Sequence, residues 1–285
     1  MTSKSRSLRV ALVQQPAGED LQANLVRALA ALEDAARRGA ELVCFAELAL
    51  TPFHPQHPAE RMPLELAEPV PGPTTEAFSA RARELGVAVV LNLYERDGDR
   101  AFDSSPVLGP DGALLGRTRM YHIADFEHFH ERGYYAPADG TPPVYELPWG
   151  RLGVVICYDR HYPECFRALA LQGADLVVVP QAGAKGEWPP GVFEAEIQAA
   201  ALQNGFFVAL CNRVGREPRL EFAGESFVCA PDGAVTARAA KGQAEVLLCD
   251  LDLGALDAAP ARRLFLPDRR PELYRAWRES MPEIE

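Results

Sequence analysis

A chain of 285 residues, 48% hydrophobic and 24% charged, can bury a large core, and no segment reads as a linker, so a single α/β domain over residues 1–285 is expected. The formal net charge of -11 excludes nucleic acid and anionic membrane surfaces as partners, because both would repel the chain. The apolar run after Met1-Thr2-Ser3-Lys4-Ser5-Arg6 is short and broken by Gln14 and Gln15, which predicts neither a signal peptide nor a membrane span and assigns the chain to the cytoplasm.

Leu8 to Gln14 reads as a first strand, and Leu21 to Arg38 as a helix with Leu25, Leu29 and Leu32 spaced three and four apart. Glu41 to Phe45 is a second strand. The Pro-rich loop Thr51 to Pro73, which contains Phe53, follows it and suits either a pocket wall or plain surface. A helix around Thr75 to Leu85 comes next, then strands near Val87 to Tyr94, Ser104 to Leu108 and Leu114 to Arg119, the last two joined by the turn Gly109-Pro110-Asp111-Gly112. The apolar run Gly153 to Cys157 precedes a helix from Pro163 to Gln172, a strand from Leu176 to Val179 with Gln181 just beyond it, and a helix from about Gly191 to Asn204. Phe206 to Asn212, Glu221 to Cys229, Ala234 to Ala239 and Val246 to Asp252 read as four closing strands. Hairpins inserted into a β/α alternation in both halves predict two mixed sheets packed face to face with helices outside, an αββα four-layer sandwich.

Cys44, Cys211, Cys229 and Cys249 lie in or beside apolar runs without C-x-x-C spacing and read as reduced core thiols. Cys157 differs: an apolar strand stops at its thiol and a polar stretch, Tyr158-Asp159-Arg160-His161-Tyr162-Pro163-Glu164, follows at once. That places sulfur at the carboxyl end of a strand, where open α/β sheets put their chemistry, although an unpaired Cys is otherwise just a small buried hydrophobe. His122, His128 and His130 have no helical His-x-x-x-His spacing and no Asp or Cys at a ligand-like offset, so they read as pocket wall or core, and neither a metal nor a cofactor is expected.

Three ordered motifs resemble the nitrilase, or carbon-nitrogen hydrolase, superfamily: Phe45-Ala46-Glu47-Leu48, Gly116 to Ile123, and Val155-Ile156-Cys157-Tyr158-Asp159. The resemblance covers nearly the whole chain. It implies that Cys157 attacks an amide-type carbonyl to form an acyl-thioester, with Glu47 as general base, Glu131 as a second carboxylate that orients the catalytic groups, and the backbone N–H of Tyr158 as an oxyanion donor. A thiol of ordinary pKa is mostly protonated at neutral pH, which is why the chemistry needs a base beside it. The resemblance also implies assembly into a homodimer or higher homo-oligomer, through the helices near the nucleophile segment, with residues 268–285 as a tail that crosses to a partner or packs Tyr274 against Trp277 within the chain.

The chain departs from the family at Met120, where a catalytic Lys is the rule; Met has similar length and cannot donate to an oxyanion. Three explanations compete. A cation from elsewhere replaces the Lys, with Lys185 ahead of Lys241, and with Arg119 facing away if Met120 faces in; the chain is weakened by drift or alteration; or it keeps the pocket to bind an amide ligand or a partner without turnover. The string Cys157 to Pro163 resembles N-carbamoyl amino acid amidohydrolases, whose Arg residues past the Cys hold a substrate carboxylate, and residues 116–123 and 129–135 resemble the β-ureidopropionase branch. An N-carbamoyl amino acid or related small amide is therefore the implied substrate, with Arg160, His161, Phe53 and Gln181 as candidate contacts; a simple ω-amidase or aliphatic amidase is the alternative. Arg160 has a structural reading too, as the partner of Asp159 or Glu164.

Overall fold

The computed structural model describes residues 6–282; Lys4 and the rest of the N-terminal segment, and the last three residues of the expected tail, lie outside them. In chain order the elements are β1 (Ser7–Gln14), α1 (Leu21–Arg37), β2 (Leu42–Phe45), α2 (Pro73–Leu85), β3 (Ala88–Val90), β4 (Leu93–Asp97), β5 (Arg100–Leu108), β6 (Leu114–Arg119), β7 (Val144–Leu147), β8 (Gly150–Val154), α3 (Pro163–Leu171), β9 (Leu176–Gln181), α4 (Val192–Asn204), β10 (Phe207–Asn212), β11 (Val214–Arg216), β12 (Glu221–Ala223), β13 (Phe227–Cys229), β14 (Val235–Arg238), β15 (Glu245–Asp252), α5 (Ala255–Ala258) and α6 (Pro271–Ser280). One sheet runs β15-β1-β2-β3-β5-β4 with β6 on β5; the other runs β14-β13-β10-β9-β8-β7; β11 and β12 form a separate ribbon.

Period-two alternation explains the layering. Leu8, Val10 and Leu12 of β1 and Leu42 and Cys44 of β2 pack in one cluster with Leu152, Val154, Leu176, Val178 and Ala209 of the other sheet, so the central core lies between the sheets. The intervening residues Ala11, Val13, Val43 and Phe45 face α1 and α2 through Ala28, Leu32 and Phe78, and Val177, Val179 and Val208 face α3 and α4 through Phe166, Leu169 and Ile197. The expected αββα order is the observed one. β1, β2 and β3 run parallel, as do β8, β9 and β10, and this places the carboxyl ends of β2, β8 and β9 beside one another.

Two expected strands are divided, and a third becomes one arm of a hairpin. Val87 to Tyr94 becomes β3 and β4, because Asn92 leaves the ladder and uses its side chain instead: Oδ1 accepts from Leu48 N at 2.8 Å, and Nδ2 donates to Asp103 Oδ1 at 2.5 Å and Ser105 Oγ at 3.1 Å. Glu221 to Cys229 becomes β12 and β13 around Gly224, at φ +67°, where a Cβ would meet Val214 Cγ1 at 2.6 Å. The apolar run ending at Cys157 belongs to a longer hairpin: β7 and β8, unmarked in sequence, pair Val144 with Gly153, and Val155 N still bonds Val178 O after β8 has ended. Within the described residues no helix is long and apolar enough to cross a membrane.

Candidate active site

Continued alternation would send the side chain of residue 157 toward the helices with Gly153 and Val155. Cys157 instead stands at φ +38°, a left-handed conformation that a non-glycine residue adopts only where its surroundings impose it, and its thiol packs in the core between the sheets. A 3₁₀ turn follows at Cys157–His161, closed by Asp159 N to Ile156 O at 2.9 Å and Tyr162 N to Asp159 O at 3.1 Å. Its position is fixed by Asp159, 1% exposed, whose carboxylate accepts from the backbone N–H groups of Tyr121 and His122 and pairs with His122 Nδ1 at 2.7 Å. The end of β6 is thereby tied to the Cys157 turn.

Glu47 follows β2 by the same device. Leu48 stands at φ +44°, with its N–H on Asn92 and its carbonyl on Arg213 Nη1 at 3.0 Å. The turn carries the wholly buried Glu47 carboxyl across to the other sheet, where Oε2 accepts from Ala182 N, just past β9, at 2.7 Å. Burial, reinforced by the charge of Glu131, raises the Glu47 carboxyl to about 7, while the Ala182 N–H and the neighbouring Asp103 and Cys157 oppose the rise. Glu131 opens a 3₁₀ turn, is wholly buried and accepts from Ala124 N at 3.2 Å; burial, then the Asp103 charge, pushes its carboxyl well above the carboxylate range. The Cys157 thiol is itself pushed well up, by burial first and then by Glu47 and Glu131, with Arg160 opposing. Cys157, Glu47 and Glu131, separated by up to 110 residues in sequence, thus act on one another electrostatically.

Met120 is fully buried in the same core as Cys157, whereas the neighbouring Arg119 turns outward onto Glu95 Oε1 at 2.6 Å and Asp97 Oδ2 at 2.7 Å. Lys185 does not stand beside the thiol. Its ammonium is bonded to Glu221 and its side chain is 39% exposed, because the strand-like bridge of Ala184 with Phe222 lays this loop along β12. Lys241, 65% exposed, faces Glu225. The cation that weighs on Cys157 is Arg160, which sequence reading paired with Asp159 or Glu164. Its Nη1 donates to Cys157 O at 3.2 Å, its Nε pairs with Glu196 of α4 at 3.1 Å, and its guanidinium lies 4.5 Å from the Phe193 ring centroid; Nη2 is buried without a partner. His161 bonds Glu196 as well, at 2.5 Å, and meets Trp188 edge-on.

Phe53 is buried in the central core, edge-on to Phe129 and Phe222. Gln181 is corrected: alternation along β9 turns its side chain to the helix side, where it lines a cavity of about 120 Å³ with Phe193 and Asn212, while Ala182 faces the central core with Cys157. The metal reading also needs amendment. His122 Nδ1, Asp159 and Cys165 Sγ lie within 4.8 Å of one another, a cluster of partners 37 and 43 residues from His122 that local spacing could not disclose. The carboxylate at its centre is taken up by backbone donors, so the cluster serves as a brace between β6 and the Cys157 turn.

Sequence reading missed Asp103, Asn92, Glu187 and Arg213. Only Asp103 left a signal, a carboxylate inside the strand-like run Ala101-Phe102-Asp103-Ser104-Ser105. Arg213 is fully buried and binds the carbonyls of Glu47, Leu48 and Thr51 together with Glu217 Oε1.

Residues 9–261 match the carbon-nitrogen hydrolase family, and the chain belongs to that family. It is 29% identical to the N-carbamoylputrescine amidase of Solanum lycopersicum over 96% of each chain, and 31% identical to the omega-amidase of Xenopus tropicalis over 93% of this chain and 96% of that one. Among solved structures, a carbon-nitrogen hydrolase from Helicobacter pylori aligns with a TM-score of 0.87 at 26% identity, covering 96% of this chain and 98% of that one. An amidase from Nesterenkonia sp. aligns at 0.79 with 28% identity over 96% and 98%.

Proposed function

We propose that this chain is a thiol-dependent hydrolase of a small amide, with an N-carbamoyl amino acid or related N-carbamoyl compound as substrate. The observation that carries the reading is the convergence of Cys157, held at φ +38°, with the buried carboxyls of Glu47 and Glu131 at the carboxyl end of parallel strands. Glu47 takes the thiol proton as sulfur bonds the carbonyl carbon, and returns it to the departing nitrogen as the C–N bond breaks; water then cleaves the thioester with Glu47 again as base. Glu131 orients the substrate, and the Tyr158 N–H, in the first turn of a 3₁₀ segment without an intrahelical acceptor, faces the oxyanion. Arg160 supplies the local positive charge, with its unpartnered Nη2 as the donor left for a substrate carboxylate. In a mutant of a relative, the amidase from Nesterenkonia sp., the active-site cysteine takes covalent addition of the acetamide moiety of fluoroacetamide, which supports Cys157 as nucleophile here. The dimer or higher homo-oligomer expected for the family belongs to this proposal, as does action on a small-molecule substrate.

Ammonia release from a panel of N-carbamoyl amino acids and primary amides tests it. Turnover is expected on the N-carbamoyl members, is abolished in Cys157→Ala, and is unchanged in Lys185→Ala, whose ammonium is held by Glu221. Release that survives Cys157→Ala would sink the thiol mechanism. Preference for simple ω-amides would move the substrate to the alternative class, and silence across the panel would favour a binding protein that kept the pocket.

A further inference from the structure

A buried cluster of three carboxyls beside a Met in place of a cation has a charge problem that the hydrolase reading alone leaves open. Asp103 lies on β5, fully buried on the inward face it shares with Ala101. The β5–β6 register pairs Ser104 with Arg119, and Met120 N continues it by donating to Asp103 O at 3.0 Å, so Asp103 and Met120 stand opposite each other. Asn92 links the two acids, its Oδ1 accepting from Leu48 N beside Glu47 and its Nδ2 donating to Asp103 Oδ1, while Glu47 Oε1 and Asp103 Oδ2 are both buried without a hydrogen-bond partner, which leaves those two oxygens to contact each other. Two carboxylates offer only acceptors, so such a contact requires a proton between them.

We propose that Asp103 carries that proton, donating its carboxylic O–H to the Glu47 carboxylate and keeping the base ionised where Met120 supplies no cation. Asp103 is on this view a positioning residue, and its role rests on Glu47 being the base of a thiol hydrolase. The oxygens fit the assignment. Glu47 Oε2 is occupied by Ala182 N, and its Oε1 has no hydrogen-bond partner; Asp103 Oδ1 is occupied by Asn92 Nδ2, and its Oδ2 has no hydrogen-bond partner. Each acid therefore keeps one oxygen for the other or for the Cys157 thiol.

The remaining groups facing the pair leave the proton where it is. Glu131, Asp159, Tyr135 and Cys157 contribute negative charge or none, and the two cations nearby are committed: Arg213 to backbone carbonyls and Glu217, Arg160 to Cys157 O and Glu196. Burial first, then the Glu47 charge, raises the Asp103 carboxyl well above its ordinary value, in agreement with the geometry. The proton on Asp103 stays put through the reaction; the one that moves passes from Cys157 Sγ to Glu47 and on to the leaving nitrogen, so the balance of the hydrolysis is unchanged.

Two readouts that need no turnover test this. The first is the infrared C=O band of a protonated carboxyl near neutral pH, taken as the difference between the unaltered protein and Asp103→Asn; the band is expected and its absence overturns the proposal. The second is the rate of Cys157 alkylation by iodoacetamide against pH. Asp103→Asn, which keeps an N–H donor for Glu47, should hold the profile, whereas Asp103→Ala should move its acid limb to higher pH and slow the neutral rate about tenfold, the effect of a one-unit change in the base. If Asp103→Ala does not fold, Asp103→Glu, which restores an acidic donor, takes its place and should keep both band and profile. Equal profiles for Asp103→Asn and Asp103→Ala overturn the role. An unaltered protein that shows band and profile but releases no ammonia would refute the hydrolase reading and not the proton assignment.

Discussion

Replacing Arg213 by Met removes the side chain that holds the carbonyls of the Glu47 turn, whose Leu48 N–H is held separately by Asn92. The guanidinium is wholly buried and makes four contacts: the carbonyls of Glu47 at 3.4 Å, Leu48 at 3.0 Å and Thr51 at 3.2 Å, and the Glu217 carboxylate at 2.5 Å. Glu217 is only 8% exposed, and its other oxygen accepts from Phe53 N at 2.9 Å and Gln56 Nε2 at 2.8 Å, so it cannot swing to water without undoing the start of the Pro-rich loop. Removing one partner of a buried ion pair leaves an uncompensated charge and costs about 3–5 kcal/mol. For a chain of this size, each kcal/mol corresponds to roughly 2–4 °C in Tm, so Arg213→Met should melt on the order of 10 °C lower by calorimetry. The double variant Arg213→Met/Glu217→Gln, which removes the orphaned charge while keeping an acceptor for Phe53 N, should recover about half of that loss. Because the Leu48 carbonyl is released, the turn that aims Glu47 also loosens, and Cys157 alkylation should slow in both variants at temperatures where they are folded. A melting point within 2 °C or so of the unaltered protein, or a double variant no better than the single one, would refute this account of how the turn is held.

The buried acids predict a stability profile that falls with rising pH. Glu47 is raised to about 7, and Asp103 and Glu131 are raised well above their ordinary values, each by burial first. The unfolded carboxyls titrate near 4, so the native state binds more protons than the unfolded state above that pH. The stability these groups contribute is full below about pH 4 and is lost as pH passes through 7 and beyond. Urea denaturation midpoints should therefore decrease from pH 5 to pH 8, and the decrease should shrink in Glu47→Gln; a midpoint that rises across this window contradicts the assignment. Met120→Lys places an ammonium opposite Asp103, between acids that lack one, and should raise kcat for ammonia release by about 10²–10³, the worth of one oxyanion donor. A folded Met120→Lys protein with unchanged kcat would mean that the oxyanion is already served by other groups.

The sequence by itself determined the layers and the order of the motifs. Apolar alternation in β1, β2, β8 and β9 divides each strand between a sheet–sheet core and a sheet–helix core, and β/α alternation with inserted hairpins follows from turn residues that sequence displays. Glu47, Glu131 and Cys157 were legible because each sits in a local motif. Only the tertiary structure decided where these side chains point. Period-two reasoning would have placed residue 157 among the helices, and it took a left-handed backbone at Cys157 and at Leu48, imposed by Asp159, Asn92 and Arg213 from distant segments, to aim thiol and carboxyl into one space. The same limit explains Lys185, whose sequence position after β9 gave no hint of Glu221 across the loop. It also explains Asp103, an unremarkable strand carboxylate until the β5–β6 register set it opposite Met120 and the turn after β2 brought Glu47 to it. Side-chain alternation is a property of a few neighbouring residues, whereas the charge state of a buried acid depends on every group the fold gathers around it.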